Sequence, residues 1–117
     1  MNKRMVGSQK ENIAAQYLKE NGLVIKTQNY RNRFGEIDII ATDKDVLVFV
    51  EVKYRKTASV GHPEEAVDYR KSRTISKVSD YYRMVNHVLP DTQFRFDVVA
   101  IEGDEIRWYK NAFSYVY

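Results

Sequence analysis

Two runs rich in Ile and Val, Glu36 to Thr42 and Val46 to Tyr54, flank Asp43-Lys44-Asp45, and no other feature of the chain restricts its fold so closely. They predict a β-hairpin. With Lys44-Asp45 at the tip, the register puts Ile37, Ile39 and Ala41 opposite Val52, Val50 and Val48. It also puts Asp38 opposite Glu51 and Glu36 opposite Lys53. Side chains alternate between the two faces of a strand, so the first set forms a wholly apolar face that belongs in a core. The second face carries Glu36, Asp38, Glu51 and Lys53 at one end, with Ile40, Phe49 and Leu47 beyond them.

Directly opposed side chains have Cβ atoms roughly 5 Å apart, and like charges so placed destabilise a ladder. A divalent cation resolves the conflict between Asp38 and Glu51. Mg²⁺ takes hard oxygen ligands and is commonly held by one or two carboxylates, with water and substrate phosphate completing its shell. Lys53, two residues from Glu51 and on the same face, can then orient water or offset charge developing on a phosphate. Asp38, Glu51 and Lys53 are thus the candidate catalytic residues for phosphodiester hydrolysis. The bland alternative is a solvated, charged end of an open sheet face, with Lys53 merely bridging Glu36.

The remainder reads as a frame for this hairpin. Ser8 to Asn21 predicts a helix, with Ser8 at its start and Asn21-Gly22 at its stop. Leu23 to Arg31 predicts a strand, and Thr57 to His62 an exposed loop. A long helix is expected from about Asp68 to Val88, carrying Ile75, Val78, Tyr82, Val85 and Leu89 on one stripe. Phe94 to Ile101 and Ile106 to Lys110 close the chain as a strand pair around Glu102-Gly103-Asp104. The order α-β-β-β-α-β-β implies an α/β (α+β) protein with a central sheet flanked by helices. At 117 residues the expectation is a single domain spanning 1–117. The absence of Cys excludes a disulfide framework, a thiolate zinc site and a cysteine nucleophile. No apolar run reaches the roughly 20 residues of a membrane helix, and Met1-Asn2-Lys3-Arg4 leads into no signal-type stretch. A cytoplasmic protein without membrane contact is expected.

The segments Gly35-Glu36-Ile37-Asp38-Ile39-Ile40 and Leu47-Val48-Phe49-Val50-Glu51-Val52-Lys53-Tyr54-Arg55 resemble the PD-(D/E)xK nuclease superfamily. Within it the chain is most similar to a YraN-type bacterial family. Gly61-His62-Pro63-Glu64-Glu65-Ala66-Val67, Arg95-Phe96-Asp97-Val98-Val99 and Asn111-Ala112-Phe113 extend the match to most of the chain. Lys10 stands where that family more often carries Gly. The resemblance implies a restriction-endonuclease-like core with a central mixed sheet, laid out like Holliday junction resolvases. It also implies an Mg²⁺- or Mn²⁺-dependent site at Asp38 and Glu51, with Lys53. Such resolvases add a glutamate from the first helix, and Glu11 is the matching position.

Glu11 has two readings. Ser8-Gln9-Lys10-Glu11 fits a capping box, while Glu11 also shares a stripe with Ala14, Ala15 and Leu18, which aims it at the sheet. Glu36 is a ligand, an ion-pair partner of Lys53 or, the preferred reading, a supporting group. Asp97 is expected to be a structural hydrogen-bonding carboxylate, and His62 a loop residue outside the site. Arg31, Arg33, Arg55 and Lys56 bracket the hairpin, and Arg70, Lys71, Arg73 and Lys77 line the long helix. These are candidate phosphate contacts, giving salt-dependent and largely sequence-independent binding. Tyr30 and Tyr54 are candidates for stacking on an unpaired base or for packing. The aromatic tail from Trp108 to Tyr117 either closes the core or offers a homodimer surface.

The net charge of +3 hides a pattern. Residues 1–35 carry seven basic and two acidic groups, and 36–51 one and five. Residues 52–83 carry eight and four, and 84–117 three and five. An acidic hairpin lies between two cationic segments, the distribution expected of a metal site with a phosphate-attracting rim. The functional expectation is a metal-dependent endonuclease acting on nucleic acid, DNA first, selected by structure. The alternatives are a non-catalytic nucleic-acid-binding module on the same fold and a protein-interaction domain.

Overall fold

The structure is a computed structural model that describes residues 3–55 and 68–117. Its elements are α1 (Lys3–Glu20), β1 (Val24–Asn32), β2 (Gly35–Asp43), β3 (Val46–Arg55), α2 (Tyr69–Val85), β4 (Phe94–Glu102) and β5 (Glu105–Phe113). The order matches the sequence expectation. The five strands form one sheet in the order β1-β2-β3-β4-β5, antiparallel except for the parallel pair β3 and β4. A parallel neighbour needs a crossover, which the segment containing α2 supplies. Lys56, the Thr57–His62 loop, His62 and the rest of the Gly61–Val67 segment lie outside the described residues.

Each face of the sheet is covered. Ala14, Ala15 and Leu18 of α1 pack with Ile39, Ala41, Val48, Val50 and Val99. On the opposite face Ile75 and Val78 of α2 pack with Ile40, Leu47, Phe49 and Phe96. The apolar residues on both faces of the hairpin are therefore buried, and at its charged end Glu51 is buried while Glu36 stays exposed. Ile37 is the exception to the expected pattern. It joins Ile40 on the α2 face instead of Ile39 on the α1 face, so β2 turns over at Asp38.

Helix α1 begins at Lys3, which puts Ser8 inside the helix and removes it as a start cap. Its end is as expected. Gly22 takes φ of 97°, its N–H bonds Lys19 O, and Leu23 N–H bonds Leu18 O, a Schellman closure. Helix α2 starts at Asp68, whose side chain accepts Lys71 N–H at 2.9 Å. It stops earlier than the stripe suggested. His87 enters the left-handed region at φ of 53°, and Val88 N–H bonds Arg83 O. Val85 and Leu89 consequently lie exposed, and Val88 takes the packing position. Ser72, Ser76 and Ser79 are buried along α2. The Ser76 and Ser79 hydroxyls donate to carbonyls one turn back, and small side chains let the helix lie close to the sheet.

The tail closes the core. Phe113 stacks on Phe96 at 5.1 Å between ring centroids, Tyr115 OH donates to Asp80 Oδ2 at 2.6 Å, and Val116 N–H donates to Ser76 Oγ. Asp97 is fully buried and accepts from Arg95 Nε, Trp108 Nε1 and Asn111 N–H. It is the structural carboxylate the sequence suggested. No helix among the described residues is long and apolar enough to cross a membrane.

Gly35 opens β2 at φ of 147°, a backbone shape other residues rarely adopt. A Cβ there would stand 2.8 Å from Thr74 Cγ2 and 3.3 Å from Val78 Cγ2 of α2. Gly35→Ala is predicted to cost about 1–3 kcal/mol, read as a lower urea midpoint with an unchanged slope. An unchanged midpoint would show that the turn does not press on α2.

Candidate functional site

The ladder between β2 and β3 has the expected register from Asp43↔Val46 to Ile39↔Val50, and it ends there. Asp38 and Glu51, and Glu36 and Lys53, lie past its end and do not form the ladder pairs that the hairpin register placed opposite each other. The next β3 N–H in need of a partner, that of Val52, donates to Asp38 Oδ2 at 2.8 Å. A side-chain oxygen thus replaces a backbone carbonyl, and the strands part at Asp38. β3 keeps its other neighbour through this stretch, since Glu51, Val52 and Lys53 pair with Val98, Val99 and Ala100.

Glu51 is 3% exposed on this central strand. Its Oε2 lies 3.6 Å from Lys71 Nζ of α2, and its Oε1 is buried with no protein hydrogen-bond partner. An ionisable oxygen left so is costly unless it takes a proton or a ligand. Burial, then the charge of Asp38, push the Glu51 carboxyl up to about 8, while Lys71 and Lys53 pull the other way. Asp38 is also raised, chiefly by burial and further by Glu36. The Val52 N–H, Lys71 and Lys53 oppose that shift.

Glu11 comes from α1, on the other face, and feels the same acids. Burial first, then Asp38 and Glu36, raise its carboxyl to about 7. It sits well inside α1, which removes the capping-box reading. With its amide oriented to donate, Asn29 Nδ2 lies 2.7 and 2.8 Å from the two Glu11 oxygens. Asn29 holds φ of 54°, which Asn tolerates better than most residues.

Glu36 pairs with Arg31 across β1 and β2 at 2.8 Å, at an exposed position, and does not bridge Lys53. Lys53 shares an open pocket of about 440 Å³ with Asp68, Arg70, Lys71 and Thr74. Arg33, Arg70, Arg73 and Lys77 are exposed and Arg55 is half-buried. Tyr30 is committed to packing, edge-on to Tyr82 at 5.2 Å. Tyr54 is partly exposed under Lys10, whose Nζ stands 4.5 Å from the ring centre. Among the described residues no three His, Cys, Asp or Glu side chains converge on one point. A cation here would rest on Asp38 and Glu51, without Glu11 as a third ligand in this arrangement.

Two residues stand in the acid site in roles that the sequence reading does not give them. Lys71, a candidate phosphate contact by sequence, turns inward to Glu51; its position beside the apolar stripe is the available signal. Asn29 gave no sequence signal, because its role depends on a positive φ.

Fold and site together define a small α/β domain with acids and lysines gathered where its central hairpin divides. The chain belongs to the uncharacterised protein family UPF0102, whose sequence profile matches residues 10–101. It is 50% identical to a UPF0102 protein of Lachnoclostridium phytofermentans over 114 residues, covering 97% of each chain. A UPF0102 protein of Aliivibrio fischeri strain MJ11 is 42% identical, with 95% of this chain and 93% of that one covered. One from Fusobacterium nucleatum is 42% identical over 111 residues, covering 95% and 92%.

The raised carboxyls fix a pH dependence. Folded Glu51 and Glu11 hold protons over a range where the unfolded chain, near 4.5, has lost them. Their stabilisation is complete below about 4.5 and is lost as the pH rises through about 7 and 8. Metal-free protein is therefore expected to melt lower at pH 8.5 than at pH 6. Glu51→Gln should flatten that slope and raise Tm at pH 8.5 by about 5 °C or more. A slope unchanged by Glu51→Gln would contradict the burial cost assigned to this carboxylate.

Proposed function

We propose that the protein is a metal-dependent nuclease of the restriction-endonuclease-like, resolvase-like class, hydrolysing phosphodiester bonds in structured DNA. The observation that carries the reading is Glu51, a buried carboxylate with one unpartnered oxygen, coupled to Asp38 and within the field of Lys53. The donor set is all oxygen, which suits Mg²⁺ or Mn²⁺. Asp38 and Glu51 would hold the ion. When bound, such an ion polarises a phosphate and neutralises charge that develops on it.

The chain's own groups do the rest. The Val52 N–H holds the Asp38 carboxylate through Oδ2, so Oδ1 is oriented to serve as a ligand. Lys53 projects from the same strand as Glu51 and places positive charge beside the attacked phosphate. Lys71 offsets the acids while Glu51 waits for its ligand. Asn29 holds Glu11 at the margin of the cluster. Arg70, Arg73 and Lys77 on α2, with Arg31, Arg33 and Arg55 on the strands, attract the phosphates on either side. Water adds to phosphorus in line, one P–O bond to a sugar oxygen breaks, and that oxygen leaves with a proton.

One observation favours a second reading. The Lys71–Glu51 pair already neutralises part of the site, as a non-catalytic nucleic-acid-binding module would require. Cleavage of duplex, flap, single-stranded and four-way-junction DNA, with and without Mg²⁺ or Mn²⁺, separates the two. The nuclease reading predicts metal-stimulated cleavage, reduced about 10²-fold or more by Asp38→Asn and by Lys53→Ala. Salt-sensitive binding without cleavage by wild type, unchanged in Asp38→Asn, would overturn it in favour of the binding module.

A further inference from the structure

We infer that a pocket between the β1–β2 turn and α2, walled by Phe34 and Tyr81, binds one unpaired nucleobase of the DNA. This inference rests on the nucleic-acid reading above and names a contact that decides which DNA structure is taken. The turn is pinned in place. Asn32 Oδ1 accepts Phe34 N–H at 2.9 Å, Asn32 Nδ2 donates to Val78 O at 3.3 Å, and Gly35 lies against Thr74 and Val78. So held, Phe34 is 41% exposed on a rigid base, edge-on to Tyr81 with ring centroids 6.0 Å apart.

The pocket has a volume of about 490 Å³, and Met84, 64% exposed, also lines it. Arg33, whose guanidinium stands 5.1 Å from the Phe34 ring centre, and Lys77 supply its charge. The acid at the rim, Asp80, is taken up by Arg83 and by Tyr115 OH, so it does not cancel them. An aromatic wall between two cations matches a base with its flanking phosphates. A base stacks on such rings and on arginine planes, and every base has a π-face to offer. A paired base in duplex keeps its faces against its neighbours, so the pocket selects single-stranded or branched segments.

Position argues for the same ligand. Arg70, Lys71 and Thr74 line the pocket beside Lys53, and Lys77, Tyr81 and Met84 follow on successive turns of the same helix. At 1.5 Å per residue, Tyr81 lies about 15 Å along α2 from Lys71. That is about four nucleotides of strand at 3.4 Å each. One strand laid along α2 would reach the acid cluster and the aromatic pocket together.

The test compares binding of a forked DNA with single-stranded arms and a blunt duplex of equal length, without divalent metal to prevent cleavage. Phe34→Ala is expected to weaken fork binding about tenfold and to leave duplex binding within about twofold. It should also abolish the quenching of 2-aminopurine placed in the single-stranded arm, and Phe34→Trp should restore both. Equal effects on fork and duplex, or none, would overturn the pocket while leaving the nucleic-acid reading in place. Failure of the wild type to bind any nucleic acid at low salt would overturn both. The exposure of Phe34 makes the variant safe for folding, and an unchanged melting temperature confirms it.

Discussion

The hydrogen bond from Val52 N–H to Asp38 is the contact on which the site depends. A hairpin of this composition would, left to itself, continue as a regular ladder and set two carboxylates face to face. Instead Asp38 caps the open ladder with its own oxygen. The strands part without leaving the Val52 N–H unsatisfied, and β2 turns over so that Ile37 still finds a core. Loss of ladder pairing and retention of burial are thus reconciled at one residue. Glu11 and Asn29 approach this break from the α1 side, and Lys53 and Lys71 from the α2 side.

The environment gives the acids their character. Glu51 occupies the central strand of a sheet covered on both faces, so it is dry in a way that an edge residue would not be. Burial is the leading cause of the upward shift in Asp38, Glu51 and Glu11 alike, with mutual repulsion second in the latter two. A cluster so raised is unstable as three free carboxylates, and it relaxes through protons, lysines or a cation. Such tension is common where a protein has kept a ligand site at the expense of stability. The exposed pair Arg31–Glu36 shows the contrast, being solvated and of small energetic weight.

Much of this was legible in the sequence because it rests on short-range pattern. The alternation from Ile39 to Val52, the Lys44-Asp45 tip and the Asn21-Gly22 stop each specify local geometry, and each is present. What escaped depends on tertiary contact. The end of the ladder at Asp38 follows from a side chain competing with a backbone carbonyl, which pairing rules do not anticipate. Helix α2 stops at Asn86 because His87 accepts a positive φ, although the apolar spacing runs on to Leu89. Lys71 is indistinguishable by type from Arg70 and Arg73, and only its place on the helix turns it inward.

Divalent-ion binding by the metal-free protein tests the central claim most directly. Titration with Mn²⁺ in a calorimeter should reveal saturable binding that releases protons, seen as a heat that depends on the buffer. Asp38→Asn and Glu51→Gln should each abolish it while leaving the fold intact. Undiminished Mn²⁺ binding in both variants, or none in the wild type, would contradict the account of Asp38 and Glu51 as a cation site.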